Sequence, residues 1–247
     1  MEFEKLTLNC DMGESFGAWK MGADPEVMPW VDMANIACGF HASDPNVMSN
    51  TIQLALKHDV TIGAHPGYYD LQGFGRRSLN YSESEITHSV LYQVGALDAL
   101  CRLYKTKISY IKPHGALYND MMKDPAIFKA IARAAQVYSV PLMILATSNN
   151  AIYLDMADQF NVPLLFEAFA DRTYQDNGML SPRSHPKAIL KNIDDIYHQV
   201  MQIAKYSSVT TISGQKISIQ ADTICIHGDN EYSIASVRKL KEALANQ

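Results

Sequence analysis

Seven short apolar runs, rich in β-branched residues and leucine, recur along the chain with longer stretches of helical periodicity between them. They span Leu6 to Cys10, Met33 to Cys38, Thr61 to Ala64, Ile108 to Ile111, Leu142 to Ala146, Leu164 to Phe166, and Thr223 to Ile226. Near-continuous apolar strands alternating with crossover helices are the pattern of a parallel sheet, because helices cover its faces. Helix-start signals fall where this α/β scheme needs them. Asp44-Pro45 and Asp124-Pro125 each offer an acidic N-cap followed by a proline at the first helical position, where its missing N–H is no loss. Ser82 and Glu85 have capping-box spacing and predict a long helix to about Tyr104. His185-Pro186 predicts a helix reaching roughly Tyr206, and Tyr232 to Ala245 a closing amphipathic helix. The alternating runs on either side of Ser213-Gly214 predict a β-hairpin appended before the last strand. Seven strands can close into a barrel or stay an open sheet, and periodicity does not choose between them.

With 247 residues, 47% of them hydrophobic, the chain is expected to form a single domain over residues 1–247 around one large core. A formal net charge of −5 removes the excess of Lys and Arg that a nucleic-acid binder needs to neutralise phosphates, so a small molecule is the expected partner. The first residues, M-E-F-E-K-L, are charged and form no apolar signal region, and no apolar run approaches membrane-spanning length. The expected location is the cytoplasm. Cys10, Cys38 and Cys225 lie in or at the ends of apolar runs, as buried free thiols do, which fits a reducing compartment.

Almost every strand is followed by polar residues and then glycine or proline. In parallel α/β folds the carboxyl ends of the strands are where ligands bind, because the βα loops converge there. The first strand ends in N-C-D-M-G-E, giving Asn9, Asp11 and Glu14; the second gives His41, and the third His65 and Asp70. The fourth gives Lys112, His114 and Tyr118, the sixth Glu167, Asp171 and Arg172, and the last His227 and Asp229. A lone strand-end histidine is usually a hydrogen-bonded structural group. Four of the eight histidines at four different strand ends predict one shared pocket. His58, His88, His185 and His198 fall in or beside the proposed helices and read as surface residues. Lys112 and Arg172 suit an anionic substrate or phosphate, and suit internal ion pairs equally. Cys38, three residues before His41, is either a thiolate nucleophile or a small packed side chain.

Asp11, His41, His65 and His227 are ligand types for zinc or another divalent ion, but there is no H-E-x-x-H and no C-x-x-C, so the spacing permits a metal without specifying one. Neither G-x-x-x-x-G-K-[ST] nor G-x-G-x-x-G occurs, which leaves no standard phosphate loop. G-F-G-R-R, from Gly73 to Arg77, reads as a basic loop turn able to contact an anion.

The segments L-N-C-D-M-G-E-S-F-G, I-A-C-G-F-H-A-S-D-P, G-A-H-P-G-Y-Y-D, K-P-H-G-A-L-Y-N, E-A-F-A-D-R-x-Y and I-H-G-D-N closely resemble the LamB/YcsF family, in order and from about Leu6 to Ala243. The resemblance implies a seven-stranded (β/α) barrel similar to the glycoside hydrolase and deacetylase superfamily. It also implies the A subunit of an ATP-dependent 5-oxoprolinase, which opens the lactam of 5-oxo-L-proline to L-glutamate as ATP, as its Mg complex, goes to ADP and phosphate. Two further subunits, B and C, are implied as partners, and self-association is left open. On this reading His65 or His227 is the base, Asp11 orients it, His41 or His114 is the acid, and Lys112 and Arg172 hold carboxylate or phosphate. Asn9, Glu14, Tyr118, Glu167, Asp171 and Asp229 complete the binding set. The same acids and histidines also suit a stand-alone, metal-dependent deacetylase or amidohydrolase. A non-catalytic substrate-binding subunit is the third reading.

Overall fold

The computed structural model describes residues 6–227 and 231–245; Gly228 and Asp229 of the last strand-end segment, and the first five residues, lie outside the described residues. The barrel strands are β1 (Thr7–Met12), β2 (Met33–Ala37), β3 (Thr61–His65), β4 (Tyr110–Ile111), β5 (Leu142–Leu145), β6 (Leu164–Phe169) and, after the hairpin β7 (Ser208–Thr210) and β8 (Lys216–Ser218), β9 (Thr223–His227). All barrel pairings are parallel, and β1 pairs with both β2 and β9, so the sheet closes. The closure that periodicity left open is therefore a seven-stranded barrel, with the expected hairpin as a separate two-stranded sheet.

β3 and β9 run one residue past their apolar runs, to His65 and His227, and two strands run further still. β1 includes Asp11 and Met12, and β6 continues through Glu167 to Phe169. Apolarity marks them too short because alternate side chains of a strand face opposite ways. Leu8, Cys10 and Met12 join the hydrophobic core between sheet and helices, while Asn9 and Asp11 turn into a polar barrel interior. There Asn35 Nδ2 donates to Asn9 Oδ1 and to Asp11 Oδ1, both at 2.8 Å, Asn9 Nδ2 donates to Thr223 Oγ1 at 3.0 Å, and Tyr110 donates its hydroxyl to Asn35 Oδ1 at 2.6 Å. These hydrogen bonds offset the desolvation of the polar groups they join. Tyr110 fits because position 63 has no side chain: a Cβ on Gly63 would lie 2.1 Å from its ring.

The helices carry the expected caps. Asp44 accepts from the N–H groups of Asn46 and Val47 at the head of α2 (Pro45–Lys57), after the short α1 (Asp24–Val27). Ser82 and Glu85 form both halves of the capping box on α3 (Glu83–Leu103), and Asp124 caps α5 (Pro125–Tyr138). α1, α4 (Gly115–Met121) and α6 (Ala151–Asp158) escaped the pattern because eight residues or fewer scarcely register a 3.6-residue period. The helix expected after His185-Pro186 begins later, as α7 (Ile193–Tyr206), where Asn192 accepts from the N–H groups of Asp194 and Asp195. α8 (Glu231–Ala245) closes the chain. Asn192→Ala leaves those two donors without a side-chain acceptor and should lower stability by about 1 kcal/mol. In thermal unfolding that corresponds to a Tm lower by roughly 2–4 °C.

Candidate active site at the strand ends

A cavity of about 700 Å³ opens at the carboxyl ends of the strands, with Asp11, His65, Lys112, His114 and His227 in its lining. Its floor is built around Lys112, directly after β4. The Lys112 Nζ lies 2.8 Å from Asp11 Oδ1, 2.7 Å from Glu167 Oε1 and 3.3 Å from Cys225 Sγ. Lys112 is 2% exposed and Glu167 0%, so these charges survive only by pairing. Burial opposes the charge on Lys112, but the carboxylates of Asp11 and Glu167 outweigh it and hold the ammonium well above its ordinary range. Burial likewise opposes ionisation of Asp11, and His65 and Lys112 overcome it, keeping the carboxyl well below its usual range. Tyr118 donates to Glu167 Oε2 at 2.9 Å, completing the shell around that acid. Of the two sequence readings of Lys112, the internal ion pair is the one observed. One ammonium answers two carboxylates, which leaves no surplus positive charge for an anionic ligand at that point.

Beside this cluster, on the strand paired with β1, His227 forms a dyad with Asp171. His227 Nδ1 lies 2.9 Å and 3.1 Å from the two Asp171 oxygens, and the imidazole stacks on Phe169 at 5.8 Å between ring centroids. A carboxylate accepts, so Nδ1 carries the proton, and Nε2, which accepts from Arg183 Nη2 at 3.4 Å, is the nitrogen that can take one up. Burial works against a charge on this ring, yet Asp171, through charge and hydrogen bond, and Asp11 outweigh burial and the nearby Arg183, and the pKa rises above 6.5. Arg172 points elsewhere: its Nε donates to Ala188 O at 3.2 Å and its Nη2 to Ser181 O at 2.6 Å, pinning the loop that precedes α7. The cationic groups in the cavity lining besides Lys112 and Arg172 include Arg76 and Arg183. Arg76 belongs to the G-F-G-R-R segment; the neighbouring Arg77 is instead spent on Asp70.

The remaining histidines gather around Glu14. His41 Nε2 lies 3.1 Å from Glu14 Oε1, His114 Nδ1 lies 3.4 Å from the same oxygen, and His114 Nδ1 lies 3.0 Å from His65 Nε2. Burial, then the neighbouring imidazoles, pushes His41 and His114 well below the ordinary histidine range, so both are neutral rings. His41 is buried behind the cavity wall rather than part of it. Asn9, Glu167 and Asp171 also support the wall from behind, while Glu14, Tyr118 and Arg172 reach the cavity. Cys38 is a packed thiol: burial pushes it up to about 12, and its Sγ donates to Ile36 O at 3.2 Å. All four cysteines are free and buried.

Among the described residues, two groups bring metal-suited donor atoms within 4.8 Å of one another: Glu14, His41, His65 and His114, and separately Asp11, Cys225 and His227. The set named from sequence, Asp11, His41, His65 and His227, is thus divided between two clusters. The second cluster does not fit a cation. The Lys112 ammonium already sits against its Asp11 and Cys225 members, and burial, joined by the charges of Asp11 and Glu167, outweighs that ammonium and holds the Cys225 thiol well above its ordinary pKa. The first cluster, three imidazoles beside a carboxylate, does fit. Sequence reasoning did not assign Cys225, Asn35, Tyr110 or Arg183 to the site. A period-two reading of T-I-C-I-H would have placed Cys225 on the face of His227.

Known proteins match the chain along nearly its whole length. A protein from Vibrio parahaemolyticus, named as the A subunit of 5-oxoprolinase, is 66% identical over 98% of this chain and 96% of its own. The crystal structure of the lactam utilization protein from Thermus thermophilus superposes with a TM-score of 0.89 at 36% identity, covering 98% of this chain and 97% of that one. A family 4 carbohydrate esterase from Streptomyces lividans, at 9% identity and a TM-score of 0.50, covers 98% of this chain and 88% of its own, and shares the fold alone. The LamB/YcsF family model matches residues 6–247. With the motif-bearing strand ends and the closed seven-stranded barrel in place, the chain belongs to the LamB/YcsF family.

Proposed function

We propose that this chain is the cytoplasmic A subunit of an ATP-dependent 5-oxoprolinase and that its strand-end cavity binds 5-oxo-L-proline and opens the ring. The observation that carries the reading is the 66% identity, along 98% of the chain, to a protein named as the A subunit of that enzyme. The cavity makes the chemistry workable. A lactam carbonyl is deactivated by resonance, and its nitrogen leaves poorly. Transfer of a phosphoryl group from MgATP to the carbonyl oxygen makes the carbon electrophilic.

Within this chain, His227 Nε2 takes a proton from the attacking water while Asp171 holds the ring and stabilises the imidazolium. The same imidazolium returns the proton to the departing ring nitrogen as the C–N bond breaks, leaving an acyl phosphate that a second water hydrolyses to the carboxylate and phosphate. Arg76 and Arg183, in the lining, hold the substrate carboxylate and the transferred phosphate. His41, reaching Glu14 rather than the cavity, is a positioning residue.

The test is the pH dependence of kcat/KM for the complete three-subunit enzyme. The groups facing His227 are Asp171 and Asp11, which raise its pKa, and Arg183, which opposes them. Activity should therefore rise with pH along a limb whose inflection lies above 6.5. In Asp171→Asn the inflection should move to lower pH. A limb that stays in place in that variant, or remains in His227→Gln, assigns the base to another group. Full activity of the complex after both substitutions makes this chain a binding subunit only.

A further inference from the structure

His65 and His114 each spend one ring nitrogen on a backbone carbonyl. His65 Nδ1 lies 2.7 Å from Lys112 O, and His114 Nε2 lies 2.9 Å from Phe74 O. Carbonyl oxygens only accept, so both N–H groups point away from the cluster and both tautomers are fixed. The inward nitrogens, His65 Nε2 and His114 Nδ1, then face each other across 3.0 Å with their lone pairs. Two bare lone pairs do not bond to each other; the contact calls for a positive centre between them, a proton or a metal ion. Two more acceptors complete the edge: Glu14 Oε1 lies 3.4 Å from His114 Nδ1, and Asp11 Oδ2 lies 3.4 Å from His65 Nε2.

These spacings are those of ligands around an ion. Donor atoms about 2.0–2.1 Å from a tetrahedral centre are about 3.3–3.4 Å from one another. The outward N–H to carbonyl bonds are the support that metal-bound imidazoles usually have, since they fix the ring and raise the basicity of the other nitrogen. His41 supplies the matching support for the carboxylate. Its Nε2 reaches Glu14 Oε1 at 3.1 Å, its ring stacks on His114 at 3.6 Å, and its Nδ1 is buried with no hydrogen-bond partner.

We infer that His65 Nε2, His114 Nδ1 and Glu14 Oε1 hold a divalent transition-metal ion, with Asp11 Oδ2 beside it and open coordination facing the cavity. All four residues line that cavity, as three protein ligands and an exchangeable position require. Two imidazoles and a carboxylate suit zinc, iron or cobalt. When bound, such an ion supplies a Lewis acid for a carbonyl or phosphoryl oxygen. The inference does not depend on the lactam reading. Metal binding is measured on this chain alone, whereas the lactam reading is decided by turnover of the complex.

The full-length chain, stripped with chelator, is titrated with Zn2+ by calorimetry and with Co2+ by visible absorption, and the Zn2+ form is examined by X-ray absorption. One equivalent should bind, with two imidazoles and oxygen donors at about 2.0–2.2 Å and no sulfur. His65→Gln and His114→Gln should each weaken binding on the order of 100-fold, and His41→Gln, acting through Glu14, about tenfold. His198→Gln, on the exposed face of α7, should bind as the wild type does. Absence of stoichiometric binding overturns the inference, as does affinity unchanged in both cavity variants. A sulfur ligand would place the ion at Cys225 instead and also overturns it. The absorption spectrum is read on the wild-type chain, so it decides the matter even where a variant fails to fold.

Discussion

Asp171→Asn in the complete complex is expected to lower kcat by about 100- to 10,000-fold, the range over which a correctly held general base contributes. KM should change little, because Asp171 is 1% exposed and supports the cavity from behind His227 rather than lining it. The replacement is nearly isosteric, yet an amide can present its NH2 to the imidazole, which then carries its proton on Nε2. The nitrogen facing the cavity would in that state be a donor, unable to take a proton from water. His227→Gln should cost a comparable factor and remove the rising pH limb altogether. Stability moves the other way with pH. A histidine whose folded-state pKa is raised stabilises the fold fully below its unfolded-state pKa, and loses that contribution as pH climbs through the folded value. As pH climbs through the folded-state value of His227, the wild-type enzyme should thus gain activity while the dyad's contribution to stability fades. Near-wild-type turnover in both variants, at native thermal stability, would sink the dyad as the reacting pair.

The barrel strands were legible because each carries enough apolar residues to mark itself, and the main caps because Asp44, Ser82 and Asp124 act within their own helical turns. The limits of β1 and β6 were not, since Asp11 and Glu167 look like loop residues until a buried lysine on a third strand end is known to face them. Convergence of His41, His65 and His114 followed from the strand-end rule alone. Their tautomers did not, being set by the carbonyls of Lys112 and Phe74, whose directions depend on tertiary geometry. Arg172 shows the same limit: nothing in A-D-R-T-Y reveals that its guanidinium will be taken by carbonyls nine and sixteen residues later.

Lys112→Met should have the largest effect on folding. Methionine keeps most of the buried stem's volume, so the loss isolates the ammonium. Asp11 and Glu167 would then face one another with no cation between them, Glu167 at 0% exposure. Removing one partner from a buried charge cluster typically costs about 3–5 kcal/mol. For a chain of this size that is a Tm lower by roughly 6–20 °C. The pH trend separates this cause from simple cavity formation. In the wild type, the depressed Asp11 pKa gives stability that is present above the unfolded-state value and is lost as pH falls through the folded one. In Lys112→Met the slope should reverse over the mildly acidic range, because protonating one of the two carboxyls relieves an unpaired buried charge. Adding Glu167→Gln should recover part of the loss, a coupling on the order of 0.5–3 kcal/mol, since the pair shares one partner. A Tm within about 2 °C of wild type would instead mean, by the same size scaling, that the triad contributes about 1 kcal/mol or less. Such a result would make the lysine free to carry the anion that its buried pairing here denies it.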